Sequence, residues 1–404
     1  MNKLATYATF LIVLIMPLIL LCGCKEEISD EEYLQSVFSK LDKIKSATYY
    51  LTGSASAPGD TLSFSVPQHL YIKEFVNPAD EFVGASSIKY YQQDTTKIDG
   101  FYDGLVRGKF DWEEKTIKID SFQNYPYPFR LVLHPFYTKT KNIIKYALET
   151  DDSTKIVLKD FGDSIQFSLL IYDKVVEFVT QPFVVINPFE SSIGKISQYD
   201  IWIRKSDNLP YRMRRKMNHS TSFERCTNIK LNTTEDVKLI STDYFPENFS
   251  IVQFKRETRK RTSQFEGKVA PDWSLIDLQN NTVGLKELKS KVLLIQFTGV
   301  GCGPCHASIP FLKQLVNEYS IKEFEFIAIE FWSNNIEGLK RYKERNDLNF
   351  KFLKADESVI RNYQLKGAPA FFILDEKRVV RKVINGYSRG TTDNEIRDAI
   401  TELL

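Results

Sequence analysis

The run Val292-Leu-Leu-Ile-Gln-Phe297 is apolar at nearly every position and is closely followed by Gly301-Cys-Gly-Pro-Cys-His-Ala-Ser-Ile-Pro310. A strand that exposes neither face reads this way, because helices cover both sides of a parallel sheet. The residues downstream fit that frame. A helical pattern runs through about Glu318, then come a strand at Phe324–Phe331, a helix near 336–346, a short strand at 350–353 and a helix near 357–363. Strands at Ala370–Leu374 and Val379–Ile384 follow, joined by the short turn Asp375-Glu-Lys-Arg378, and a helix from Asp393 ends the chain. Strands alternating with helices predict an α/β sheet, with the last two strands forming a hairpin.

The Cys302-Gly-Pro-Cys305-His306 segment admits three chemistries: an exchanging dithiol, a C-x-x-C-H haem attachment, or half of a zinc site. Cys302 stands where a buried strand ends and a helix begins, at the sheet edge where α/β folds place their sites. Free backbone N–H groups and the helix dipole there favour a thiolate, so its pKa is expected below the ~8.5 of a free thiol. Cys305 lies one turn on, within disulfide reach. Gly303-Pro304 keeps the connection tight, and a proline in the first helical turn sacrifices no hydrogen bond. His306 is expected on the exposed face of the helix, where it would help to stabilise the thiolate. Pro310 falls inside the predicted helix, at a cost of about 3 kcal/mol unless compensated. Pro369, in Gly367-Ala-Pro-Ala-Phe371, opens a strand where a cis X-Pro bond fits.

These residues, with the lead-in Ala270-PDWSLIDLQNNTVGLKELKSKVLLIQF, resemble the membrane-anchored extracytoplasmic thioredoxin-like oxidoreductases of the TlpA/ResA group, over about a third of the chain. The resemblance implies a thioredoxin-like fold with a kinked active-site helix and a cis-proline loop facing the dithiol. Cys302 and Cys305 would be catalytic, and Gly303, Pro304, Ala368 and Pro369 would contact the substrate. It implies no cofactor, disulfide-containing proteins as partners, and a membrane electron donor to recharge the dithiol. The Gly-Pro dipeptide is the one thioredoxin carries, which points to a reductant. Pro304 and the Pro369 loop favour the dithiol over haem, and zinc lacks further ligands near the pair. Two departures stand out. The tryptophan common before the first cysteine is Gly301, which leaves the dithiol less shielded, and thioredoxin's buried aspartate is replaced by Gln296, which cannot take a proton. Glu330, near the end of the next strand, is the candidate proton-transfer aid.

The chain has 404 residues, enough for two cores, and 43% of them are hydrophobic. Lys plus Arg is 54 against 52 for Asp plus Glu, a net charge of +2, and the only dense basic cluster is Lys255–Arg261. Nucleic acid is therefore not an expected partner. At the amino terminus Lys3 precedes the apolar run Phe10–Leu21, too short for a comfortable span, and Leu21-Cys-Gly-Cys24 resembles the lipobox of bacterial lipoproteins. The expected division is a signal peptide at 1–23, a lipid on Cys24, a β-rich domain with linker at 24–266 and the thioredoxin-like domain at 267–404. The anchor would hold the protein outside the cytoplasm, with the outer membrane preferred over the inner because Lys25-Glu-Glu27 lacks a retention aspartate.

Ser29-x-x-Glu32 reads as a capping box before the stripe Tyr33, Leu34, Val37, Phe38, Leu41, Ile44. From Ala47 to about Thr242 strand-type runs predominate, among them 61–66, 88–91, 116–119, 165–172 and 200–204, with one helix near 139–148 and a hairpin loop at Ser206–Pro210. This mostly antiparallel region resembles the LolA-like half-barrel of lipoprotein carriers. It raises an alternative function, a lipid or lipoprotein carrier whose thioredoxin domain is secondary. Cys226 is expected to be a buried inert thiol, and His69, His134 and His219 lack ligand spacing, so no metal site is expected.

Overall fold

The computed structural model describes residues 28–56, 68–123, 130, 132–133, 135–178, 182–184, 196–217, 220–233, 245–254 and 264–404. The apolar leader with Cys22 and Cys24, the strand expected at 61–66, the basic cluster at 255–261, His134 and His219 all lie outside the described residues.

Helix α1 (Asp30–Asp42) begins with the expected capping box. The Glu32 N–H donates to Ser29 Oγ at 3.2 Å, and the Ser29 N–H donates to the Glu32 carboxylate at 2.9 Å. Its stripe Leu34, Val37 and Leu41 is buried. Next come β1 (Ser46–Ser56), β2 (Gln68–Val76), β3 (Ala85–Tyr91), β4 (Asp94–Tyr102), β5 (Arg107–Asp111), β6 (Thr116–Asp120) and α2 (Phe136–Glu149). They are followed by β7 (Thr154–Asp160), β8 (Ser164–Tyr172), β9 (Val176–Phe178), β10 (Pro182–Val184), β11 (Ile196–Arg204), β12 (Leu209–Lys216), β13 (Thr221–Leu231) and β14 (Ser250–Gln253). Twelve of these strands form one open sheet in the order β14-β6-β5-β4-β3-β2-β1-β13-β12-β11-β8-β7, while β9 and β10 pair separately. Pairing is antiparallel except between β14 and β6, which makes the sheet mixed and unclosed.

One stretch of the sheet's apolar face is filled by the two helices. Leu34, Val37, Phe136, Ile143 and Ile144 pack with Tyr49, Ile72, Phe167, Leu169, Tyr199 and Ile201 in a single core. A buried carboxylate ties α2 to it. Glu74 on β2 accepts from the Tyr137 and Thr138 N–H groups at 3.2 and 2.8 Å, from the Thr138 hydroxyl at 2.7 Å and from the Tyr49 hydroxyl at 2.9 Å. A carboxyl group there, its pKa raised by burial, answers the orphan donors of a helix amino terminus that has no side-chain cap of its own. The β11–β12 loop is shorter than expected. Pro210 sits inside β12 opposite Ile203, beside a register shift, while described pairing of β12 with β13 starts at Arg212, so the missing N–H breaks no ladder there. Cys226 is buried and free, and burial drives its thiol pKa well up.

The carboxy-terminal sheet is built from β15 (Ser274–Asp277), β16 (Thr282–Gly284), β17 (Val292–Thr298), β18 (Phe324–Glu330), β19 (Lys351–Lys354), β20 (Ala370–Leu374) and β21 (Val380–Asn385). Helices α3 (Gly303–Glu318), α4 (Ile336–Arg345), α5 (Glu357–Asn362) and α6 (Thr391–Leu403) alternate with them. The order is β16-β15-β19-β18-β17-β20-β21, with β17 parallel to β18 and antiparallel to β20. Every residue of β17 is buried, as a strand covered on both faces requires. Val292 and Leu294 face a core with Leu312 of α3, Leu339 of α4 and Ile396 of α6, whereas Leu293, Ile295 and Phe297 face Trp273, Val359 and Tyr363. Phe265 already belongs to this unit: its ring stacks on Tyr363, and Glu266 accepts from the Val383 N–H at 2.9 Å. Strands β15 and β16 were not expected; they are short, and a turn held by the Asp277 carboxylate joins them.

Candidate active site

Three strand ends meet at one edge of this sheet. Register pairs Thr298 of β17 with Glu330 of β18, and Phe297 with Ala370 of β20. The chain leaving β17 therefore carries Cys302 out between the end of β18 and the start of β20. Gly301, at φ +88°, makes the turn, a conformation that disfavours any larger residue there. Cys302 is the N-cap of α3, and its sulfur accepts from the Cys305 N–H at 3.2 Å. Its own N–H donates to the Gly299 carbonyl at 3.1 Å. Cys302 and Cys305 are bonded to each other, with Cα atoms 5.2 Å apart, so each sulfur's partner is the other. Gly303 and Pro304 occupy the first helical turn, and Pro310 lies within α3 on its exposed side.

The Ala368–Pro369 bond is cis, and Pro369 is buried immediately before β20. Its carbonyl accepts from the Gly386 N–H at 2.8 Å, which moors the loop to the strand beyond. Register with β17 puts this loop on the dithiol's edge of the sheet. Gly301 does not leave the pair open: Cys302 is 5% exposed and Cys305 1%.

Glu330 is fully buried, and its hydrogen bonds go to backbone. One oxygen accepts from Val300 at 2.7 Å, the other from Trp332 at 2.5 Å and Ser333 at 2.9 Å. Burial raises its pKa, while these three donors and Lys354 pull the other way. The carboxylate thus clips the loop before the dithiol to the loop after β18. Gln296 is 3% exposed and serves α3 instead of a proton: its amide donates to Ser308 Oγ at 2.9 Å, and that hydroxyl donates to the Cys305 carbonyl at 2.7 Å.

His306 departs from the expectation of an exposed helix residue. It is half-buried, its Nδ1 is buried without a hydrogen-bond partner, and burial pushes its pKa down. The ring follows Cys305 directly and turns its Nδ1 against the fold, where burial disfavours the charged form. Replacing it by Phe should leave the midpoint of Cys302 alkylation against pH unmoved; a clear upward displacement would show that the imidazole does support the thiolate.

Among the described residues, no group of three or more His, Cys, Asp or Glu side chains could hold a metal ion, and no helix is long and apolar enough to cross a membrane. Two neighbours of the dithiol escaped the sequence reading. Ser308 could have been found from its spacing three residues past Cys305. Trp332 could not, since what it touches is set by sheet register.

Residues 265–400 match the Redoxin family. Over 120 residues the chain is 31% identical to the thiol-disulfide oxidoreductase ResA of a Bacillus cereus strain, covering 29% of this chain and 69% of that protein. Over 132 residues it is 28% identical to the thioredoxin-like protein YneN of Bacillus subtilis, covering 32% and 77%. Among solved structures, a thiol:disulfide interchange protein from Bacteroides sp. aligns with 34% of this chain and 90% of its own, at 22% identity and a TM-score of 0.30. The first of these relatives is named for thiol-disulfide chemistry, and this chain carries a buried disulfide at the amino end of a helix. Through residues 265–400, this chain belongs to the ResA-like thiol-disulfide oxidoreductases of the Redoxin family.

Proposed function

We propose that the protein is a lipid-anchored, extracytoplasmic reductase of protein disulfides, working through Cys302 and Cys305. The observation that carries this reading is the Cys302 sulfur at the N-cap of α3, receiving the Cys305 N–H. In the reduced protein that donor and the helix dipole stabilise a thiolate on Cys302. The thiolate attacks one sulfur of a partner's disulfide, forming a mixed disulfide and expelling the partner's other sulfur, which takes a proton. Cys305, once deprotonated, attacks the Cys302 sulfur, releases the second partner thiol and closes the Cys302–Cys305 bond. Two electrons have passed to the partner, and a membrane dithiol donor returns them. Ala368 and Pro369, with Gly303 and Pro304, hold the partner segment, and Glu330 is the proton-transfer aid to Cys305.

Residues 1–23 act as signal peptide, and a lipid on Cys24 holds the protein at the membrane, the outer membrane being preferred. The β-rich unit between anchor and redox domain serves as a spacer. A LolA-like carrier would need a free apolar hollow, and α1 and α2 cover the stretch of sheet face they pack on. A Cys305→Ser variant tests the redox reading. It should accumulate mixed disulfides with partner proteins, released by reductant and resolved by mass spectrometry. Absence of any adduct, while Cys302 alkylates freely, would overturn the mechanism.

A further inference from the structure

The loop that carries the dithiol is roofed by an indole. Trp332 is the second residue past β18, and its ring lies directly on Gly299; a Cβ on that glycine would collide with three ring carbons. Gly299 in turn accepts the Cys302 N–H through its carbonyl, so the ring sits one hydrogen bond from the reactive residue. The backbone beneath the indole is pinned twice: Phe331 donates its N–H to Thr298 at 3.1 Å, and Trp332 donates to Glu330. Despite this anchoring, Trp332 remains 45% exposed.

Other large apolar side chains exposed in this domain stand elsewhere in the topology. Val269 lies in the lead-in opposite Val379, Ile276 is on β15, Ile321 precedes the opposite end of β18, and Leu404 ends the chain. Trp332 alone among them follows a strand that ends beside the dithiol. Pro369 occupies the β20 flank of β17 and Trp332 the β18 flank, so an extended segment crossing this sheet edge meets the cis-proline loop, the dithiol and the indole in turn. An aromatic ring already immobilised costs little further entropy on contact, which is why tryptophans dominate the energetics of many interfaces.

We propose that Trp332 is a specificity-determining contact for the substrate polypeptide. It stacks on an apolar side chain flanking the substrate's cysteine, and so selects disulfides in extended or unfolded chains with apolar neighbours. The proposal rests on the reductase reading above. Its test compares two cyclic peptide disulfides of equal ring size, one with Leu or Phe beside the attacked cysteine and one with Ser or Asp there. The wild-type protein, recharged by a chemical dithiol, should prefer the apolar peptide in kcat/KM. In Trp332→Ala that preference should fall about tenfold, carried by KM, and Trp332→Phe should restore most of it. An equal loss on both peptides, carried by kcat and accompanied by faster exchange of the Cys302 amide, would overturn the proposal in favour of a ring that merely braces the loop; so would an undiminished preference. Failure of the reductase reading looks different: the wild-type protein would reduce neither peptide, or the Cys302→Ser variant would reduce both.

Discussion

Exchanging Cys302 for serine is expected to lower peptide-disulfide reduction by at least about 10³-fold, because a hydroxyl at neutral pH neither ionises nor forms a bond to sulfur that a thiol can resolve. Cys305 cannot take over. It is 1% exposed, one turn inside α3, and its N–H points to the sulfur of Cys302 rather than to a substrate. The measurement is turnover of a peptide disulfide with a chemical dithiol as electron donor. A companion measurement is the alkylation rate of Cys302 against pH in the Cys305→Ser background, whose midpoint should fall below the ~8.5 of a free thiol. The asymmetry comes from the fold: the N-cap residue faces the free donors of the first turn, and a residue three positions later does not. Residual activity near the wild-type level in the serine variant would place the chemistry elsewhere.

Glu330→Ala is expected to destabilise the redox domain by about 3–5 kcal/mol, since a buried carboxylate that holds several donors leaves each of them orphaned when it goes. The donors are the N–H groups of Val300, Trp332 and Ser333. Glu330→Gln should recover part of the loss: its amide oxygen can serve Trp332 and Ser333, but its NH₂ then opposes the Val300 N–H. Hydrogen exchange at those three amides reads the effect locally, without assuming that a chain with two cores unfolds in one step. The pH dependence has a definite sign. The folded-state pKa of Glu330 is raised, so the stability it confers is fully present below the ordinary glutamate value and declines as pH rises through the folded value. The gap between wild type and Glu330→Ala should therefore be widest in acid and narrow towards neutrality. Unaltered protection of the Val300 and Trp332 amides in the alanine variant would refute the clip.

Legibility in the sequence differed between the two halves for physical reasons. In the carboxy-terminal third the period changes sharply between continuous apolar strands and amphipathic helices, so each of β17 to β21 and α3 to α6 was found close to its observed ends. Strands β15 and β16 were missed because three or four residues carry too little periodicity to show. In the amino-terminal half, alternation marked β3, β6, β8 and β11, and the capping box marked α1. Strand order did not follow from it: β1 lies between β2, the next strand in the chain, and β13, which comes far later. For His306 the helical position suggests solvent, whereas packing turns its Nδ1 inward.

By itself the sequence determined that a dithiol stands at a strand-to-helix junction, since Cys302, Cys305, Pro304 and the run before them are local features whose geometry needs no distant partner. It likewise determined a second, strand-rich unit upstream. Only the tertiary structure decided what surrounds the sulfurs. Glu330 and Trp332 reach Val300 and Gly299 across 30 residues or more of chain because β18 pairs in parallel with β17, and Pro369 reaches the same edge because β20 pairs antiparallel on the other side. Such encounters depend on register, and register emerges from the packing of two whole faces at once, information that no short window of residues contains.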